Sequence, residues 1–218
     1  MENANIRSGR ITAIEPQARH PERVNLFIEG EFALGLAASV LLDFGIAVGK
    51  QLDDADVQAL LQAEEGHRAT ESALRLVSYR ARSESEIRQR LSRKHFSVPA
   101  IDVAINQMRD WGYINDQEFA RQWVASRESH RPRSSRLMKR ELASKGVDIQ
   151  TAEKAVEEAD IDDFAVALDL AQRWMPRIER EDAETQRRRL TGYLQRRGFG
   201  WDVVRRVLEQ ILSGEGES

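Results

Sequence analysis

The feature that most constrains this chain is an internal repeat with a period close to 50 residues. The run LSRKHFSVPAIDVAI (Leu91–Ile105) aligns without gaps onto the segment that starts at Leu142, and again onto the segment that starts at Leu194. The starts lie 51 and 52 residues apart. Lys94-His95-Phe96 then falls on Lys145-Gly146-Val147 and on Arg197-Gly198-Phe199. The apolar residues that follow also match: Val98, Ile101 and Ile105; Ile149, Ala152 and Val156; Trp201, Val204 and Leu208. The same turn recurring at this period marks stacked supersecondary units.

Each unit can be read physically. A middle helix ends at a basic residue, where a cation suits the carbonyl end of the helix dipole. Gly146 and Gly198 supply a left-handed cap, and His95 fills that place in the first copy less comfortably. Phe96, Val147 or Phe199 tucks back, and a third helix begins with an apolar stripe at i, i+3 and i+7. Ser83-x-x-Glu86 is a capping box opening the first middle helix, and Asn115-x-x-Glu118 opens the first helix of the second copy the same way. Each unit has only a thin apolar face, so neighbours are expected to stack to bury it. The fold class expected is mainly α: three tandem three-helix repeats forming a curved, elongated body, with a small β-hairpin-containing head at the N-terminus.

The head reads differently from the repeats. Arg10–Glu15 and Val24–Ile28 are short β-rich runs, and Glu29-Gly30 separates VNLFI from EFALGL as a two-residue hairpin turn. A short helix from about Ala37 to Asp43 and the loop FGIAVGKQL follow. Asp53 or Asp54 then caps a helix whose apolar stripe holds Val57, Leu60 and Leu61. No later strand is predicted. The division expected is a head at 1–52, a first repeat with its lead-in helix at 53–113, a second at 114–163, a third at 164–213 and a disordered tail at 214–218.

Composition narrows the class further. With 41% hydrophobic and 32% charged residues the chain is too apolar to be disordered. The absence of Cys removes disulfides and thiolate metal sites. No signal peptide or membrane span is read, so a cytoplasmic protein is expected. The net charge of −3 conceals blocks: −6 over residues 1–74, +7 over 75–148, −6 over 149–169 and +5 over 170–206. Helices carry charge on their wet faces in any case, but here the blocks keep step with the repeat.

Catalytic and cofactor motifs find no support. FGIAVGKQ has three residues between Gly45 and Gly49 where a Walker A loop needs four, and Gln51 stands where a hydroxyl is required. His20, His67, His95 and His130 are scattered, without metal-ligand spacing. The acidic run Glu157–Asp163 fits neither an EF-hand nor a two-metal site and reads as a solvated connector. No enzyme, cofactor or metal is expected.

The basic positions are the candidate interface. Arg133, Arg136 and Arg140 fall at i, i+3 and i+7, opposite Met138 and Leu142, with Arg131 and Lys139 flanking. In the first copy Arg90, Arg93 and Lys94 cluster; in the third, Arg189 and Arg196 share a face with Arg188 and Arg197 nearby. A recurring cationic face suits phosphates, whose neutralisation releases counterions, or an acidic protein groove. Arg outnumbers Lys, which favours bidentate contacts. Tyr79, Arg80 and Arg82 are further contact candidates, although Arg80 and Arg82 equally suit bracing through Glu84 or Asp116. Trp111, Trp123, Trp174, Trp201, Tyr79, Tyr113 and Tyr193 could stack on bases. Trp123 and Trp201 occupy apolar-periodic slots and are expected in the core, and Tyr79 is the best exposed candidate.

The runs SYRARSESEIRQRL (Ser78–Leu91), GYINDQEFARQWV (Gly112–Val124) and LMKRELASKGV (Leu137–Val147) resemble the RecX family, regulators of the RecA recombinase. With the weaker third copy the resemblance covers roughly residues 69–212. It implies three-helix repeats, binding to the RecA filament on single-stranded DNA, and inhibition of recombinase and coprotease activities. A monomer away from membranes, with weak direct contact to DNA, is the partner pattern expected. The alternative is a sequence-tolerant DNA-binding helical protein acting without RecA, with Trp201–Leu208 as a recognition helix. That helix carries few side chains suited to reading bases.

Overall fold

The structure, a computed structural model, describes residues 8–213; the tail read at 214–218 lies outside them. The chain forms two compact units. The first runs to Arg82 and includes Ile87–Ile114; the second holds Ser83–Glu86 and the chain from Asn115 onward. Among the described residues no helix is long and apolar enough to cross a membrane.

The first unit starts with strands β1 (Gly9–Gln17), β2 (His20–Ile28) and β3 (Glu31–Ala37), paired antiparallel. The hairpin falls where the sequence places it. Ile28 pairs with Glu31, and Glu29 (φ 52°) and Gly30 (φ 80°) both take the positive φ that a tight hairpin turn needs. Along β2, Val24, Leu26 and Ile28 are buried while their neighbours face outward, the period of two expected of a half-buried strand. A short helix, α1 (Ala38–Asp43), follows. One strand escaped the sequence reading: β4 (Gln51–Leu52), inside the supposed loop, pairs with Gly9 and Arg10 to give the order β3-β2-β1-β4. Two residues are too few to show alternation.

Helix α2 (Asp54–Tyr79) opens with a reciprocal capping box: Asp56 N–H donates to Asp53 Oδ1 at 2.8 Å, and Asp53 N–H to Asp56 Oδ2 at 3.1 Å. The lead-in helix and the first helix of the repeat are one continuous element of 26 residues. Its early turns place Val57 and Leu60 against Leu26, Leu36 and Leu52 of the sheet. Its later turns place Ala69 and Ala73 in a second cluster with Ile87 and Leu91 of α3 (Glu84–Ser92) and Ile101, Ile105 and Met108 of α4 (Val98–Asp110). Between them sits buried Glu64, which accepts from Arg23 Nη2 at 2.6 Å and from Ala37 N–H at 2.8 Å. A carboxylate that deep requires such partners.

The second unit holds two further copies. Helices α5 (Asp116–His130), α6 (Ser135–Ser144) and α7 (Ile149–Glu158) enclose Phe119, Val124, Met138, Leu142 and Val156. Helices α8 (Asp163–Trp174), α9 (Ala183–Gln195) and α10 (Trp201–Ser213) enclose Leu170, Leu190, Leu194, Phe199 and Val207, with a 3-10 turn at Met175–Arg177 after α8. Each copy therefore closes an apolar cluster of its own, which corrects the expectation of a face too thin to be buried alone.

The recurring turn is the same in all three copies. Lys94, Lys145 and Arg197 donate their N–H to the carbonyls of Leu91, Leu142 and Leu194, and Phe96, Val147 and Phe199 donate back to those same carbonyls. His95 (φ 64°), Gly146 (φ 77°) and Gly198 (φ 90°) all take the left-handed conformation. The third-helix stripe differs from expectation at its first member. Val98 (71% exposed), Ile149 (71%) and Trp201 (60%) lie outside the core. Each is the first residue of its helix, a full turn before Ile101, Ala152 and Val204, where burial begins.

Hydrogen bonds mark the junctions within the second unit. Ser83 Oγ donates to the Lys145 carbonyl at 2.5 Å, and Glu84 N–H donates to Asp116 Oδ1 at 2.9 Å. One copy on, Ser134 N–H donates to the Arg197 carbonyl at 3.0 Å, and Ser135 N–H to Asp163 Oδ1 at 2.8 Å. The start of a middle helix thus meets the left-handed turn and the first residue of the next copy. The predicted boxes serve this geometry only in part. Ser83 Oγ accepts from Glu86 N–H (3.2 Å) while the Glu86 carboxylate lies 3.1 Å from Lys145 Nζ. Asn115 accepts from Glu118 N–H (3.0 Å), but the Glu118 carboxylate turns along the helix to Gln122 and Arg121.

Candidate cationic interface

The fold sorts the predicted cations into those committed to internal partners and those left outward. In the first unit Arg90 and Arg93 are exposed and have no ion-pair partner among the described residues. Lys94 leaves that cluster, because its Nζ donates to Ser72 Oγ on α2 at 2.7 Å. Tyr79 is 86% exposed, as expected. Arg80 Nη1 donates to the Ala81 carbonyl (2.8 Å) and Arg82 Nε to the Leu76 carbonyl (2.9 Å). Arg82 thereby places a cation at the C-terminal end of α2, whose last turn holds none. Both arginines thereby hold backbone of their own turn.

In the second copy the expected stripe is shorter. Arg133 precedes Ser134, the N-cap of α6, so it is not on the helix face. Its Nη1 lies 2.8 Å from Glu141 Oε1, while Glu141 Oε2 accepts from Arg127 Nε (2.8 Å) and Trp123 Nε1 (3.2 Å). Glu141 is thus a hub whose side chain is only 17% exposed. Lys139 lies 3.7 Å from Glu157. Arg131 caps the C-terminus of α5 and is exposed. Arg136 and Arg140, one turn apart, remain exposed and without an ion-pair partner among the described residues. Met138 and Leu142 are buried opposite them.

In the third copy Arg189 Nη1 lies 2.9 Å from Glu181 Oε1. The Arg197 guanidinium stacks 3.9 Å above the Tyr193 ring, itself stacked on Trp174 at 4.6 Å. Arg188 and Arg196 stay exposed and, among the described residues, unpaired. Counted from Leu142 and Leu194, Arg136 and Arg188 occupy one repeat position. Counted from Leu91 and Leu194, Arg93 and Arg196 occupy another.

The aromatic side chains divide as well. Trp123 packs in the second copy, stacked on Phe119 (6.1 Å) and flanked by Arg127 and Lys145 at 4.1 and 4.3 Å from its ring centre. Trp201, expected in the core, is exposed because it is the first residue of its helix. Trp111 and Tyr113 form an exposed edge-to-face pair, 6.4 Å apart. The acidic run is more than a solvated connector: Asp162 caps α8, Asp163 accepts from Ser135, and Glu158 lies 3.8 Å from both Arg121 and Lys154. Among the described residues no three His, Asp or Glu side chains converge as metal ligands would.

Sequence reasoning missed two sets of cations. Arg127 braces Glu141, and Arg23, Arg68 and Arg75 line a hollow of the first unit with Lys94. The signal for the latter was the seven-residue spacing of Arg68 and Arg75 on one helix face, which straddles the boundary between the acidic and basic blocks.

Comparison with known proteins places this arrangement. The RecX N-terminal domain model matches residues 9–53, and the first, second and third RecX three-helix domain models match 69–108, 115–156 and 160–208. Regulatory protein RecX of Bacillus subtilis (strain 168) is 31% identical over 202 residues, covering 92% of this chain and 76% of the relative. Regulatory protein RecX of Clostridioides difficile (strain 630) is 27% identical over 206 residues, covering 94% and 97%. A crystal structure of regulatory protein RecX shares the fold with a TM-score of 0.75 at 21% identity, covering 94% of this chain and 98% of that one. RecX from Lactobacillus salivarius superposes with a TM-score of 0.60 at 21% identity, covering 69% and 99%.

Proposed function

This chain belongs to the RecX family of regulatory proteins, and from that premise we propose that it binds the RecA filament on single-stranded DNA and restrains its recombinase and coprotease activities. On this reading it is a cytoplasmic binding protein rather than an enzyme. One observation carries the proposal: exposed cations without carboxylate partners recur at matched repeat positions, Arg93 with Arg196 and Arg136 with Arg188. Cations held in ion pairs serve the fold, whereas those left outward at a fixed period suit a partner that is itself periodic. A filament repeats its own phosphates and acidic side chains, so matched contacts on two copies of the repeat add without a new recognition element at each.

The test is RecA ATPase and strand exchange on single-stranded DNA with sub-stoichiometric protein, beside DNA affinity measured without RecA. Both RecA activities should fall at ratios well below one protein per recombinase. Unchanged RecA activity together with tight, salt-sensitive binding to bare DNA would overturn the proposal in favour of a DNA-binding protein acting alone.

A further inference from the structure

On the first unit, β2, α2 and the turn after α3 surround a hollow of about 320 Å³. The block pattern conceals it, because its cations come from both the acidic block (Arg23, Arg68) and the basic one (Arg75, Lys94). Four cations nevertheless converge there: Arg23 from β2, Arg68 and Arg75 from α2, and Lys94 from the turn. Their partners distinguish them. Arg23 is neutralised by Glu64 at 2.6 Å. Lys94 is held by the hydroxyl of Ser72, a residue 2% exposed, which fixes the ammonium without cancelling its charge and leaves the hydroxyl proton as a further donor. Arg75 lies 4.0 Å from Glu71, the outer limit of an ion pair, and Glu71 is shared with His67 at 3.5 Å. Arg68 has no ion-pair partner among the described residues.

Among the described residues Glu71 is the one carboxylate lining the hollow, so Arg68, Arg75 and Lys94 leave it net positive. The geometry points to a site for a phosphate group, held by Arg68, Arg75 and Lys94 over Ser72. A carboxylate has two oxygens and is satisfied by one guanidinium fork. A phosphate presents more acceptor oxygens and meets donors arriving from several directions, which is what two arginines two helical turns apart and a third cation from another element provide. Phe96 closes the apolar side of the hollow. The phosphate has two possible sources of the same chemistry, the backbone of a single strand or a free phosphate ester. The site needs no recombinase, so it stands or falls apart from the filament reading.

The experiment uses the full chain without RecA. Fluorescein-labelled (dT)20 is titrated by anisotropy at several salt concentrations, and thymidine monophosphate is titrated by calorimetry. The variants are Arg68→Ala/Arg75→Ala and, as an equal loss of charge outside both the hollow and the candidate cationic face, Arg177→Ala/Arg180→Ala, two exposed arginines; circular dichroism verifies the helicity of each. The pocket pair should weaken binding at least tenfold. Against (dT)20 it should also lower the salt slope by about 0.7 for each strand phosphate no longer neutralised. The control pair should change binding less than threefold. Loss confined to (dT)20 assigns the site to a strand, and loss for both probes with equal affinities assigns it to a free phosphate ester. Unchanged binding in the pocket pair, or an equal loss in both pairs, would overturn the proposal.

Discussion

The left-handed turn gives the sharpest test of how the repeat is built, because one backbone conformation carries three different costs. Gly198 has φ 90°, and a Cβ there would collide with Leu137 Cβ and lie 2.6 Å from Ser134 Oγ. Ser134 is fully buried, caps α6 and donates its N–H to the Arg197 carbonyl, so it has little room to yield. In Gly198→Ala the left-handed residue costs about 1–2 kcal/mol. Displacing packed neighbours adds about 1–3 kcal/mol, and reduced freedom of the unfolded chain returns about 0.4–1 kcal/mol. The expected net loss is about 1–4.5 kcal/mol. His95 has φ 64° and already bears the backbone cost. His95→Gly should therefore gain up to about 1 kcal/mol, the strain relieved less the entropy of a glycine. Urea unfolding of the full chain, followed by far-ultraviolet circular dichroism and by tryptophan fluorescence, measures both changes. The reasoning is refuted if Gly198→Ala shifts stability by less than about 0.5 kcal/mol, the range of an ordinary surface change.

Three further outcomes are expected. Glu141→Ala strands Arg127 and Arg133, both half-buried, and should cost about 1–3 kcal/mol in urea unfolding; a loss under about 0.5 kcal/mol would show that Glu141 is no hub. Charge reversal of Arg136 and Arg140 should weaken co-sedimentation with RecA–DNA filaments and leave the thermal melt unmoved, whereas Arg133→Glu should lower the melt by opposing Glu141. The Thr185 backbone and side chain hold the Asp182 carboxyl below its usual range, and the Thr151 side chain and backbone do the same for Asp148. Carboxyls depressed by folding contribute stability that is present above the unfolded-state value, near pH 4, and is lost as pH falls through the folded-state value. Stability measured from pH 5 to pH 2 should therefore fall less steeply in Asp148→Asn/Asp182→Asn than in the unmodified chain.

The periodic parts of the fold were legible because they are local. The turn shared by Lys94, Lys145 and Arg197 needs one left-handed residue, and Gly146 and Gly198 announce it. Glu29-Gly30 announces the hairpin in the same way. What stayed hidden depends on partners distant in sequence. Nothing near Glu141 says that it will collect Arg127, Arg133 and Trp123, and nothing near Ser72 says that it will hold Lys94. Trp201 misled because helical spacing reports a face but not how far the neighbouring helices extend along it. The helix-face stripe was accordingly counted one residue too long, since the spacing of Arg133, Arg136 and Arg140 could not reveal that Arg133 lies outside the helix.

That overcount has a physical logic. The cation before the left-handed residue recurs in every copy, yet each instance is spent differently: Lys94 on Ser72, Lys145 on Glu86 and the Trp123 ring, Arg197 on the Tyr193 ring. A position at the end of a middle helix lies close to whatever packs beside the turn, so its charge is drawn into the structure. Arg93 and Arg196, one residue earlier and exposed, escape this. So do Arg136 and Arg188, six residues before the repeat leucine and turned from the core. The fold therefore draws in one set of cations and leaves another outward within the same repeat. Substitutions at Arg93, Arg136, Arg188 and Arg196 should change partner affinity with little effect on stability, and those at Lys145 and Arg197 should do the reverse.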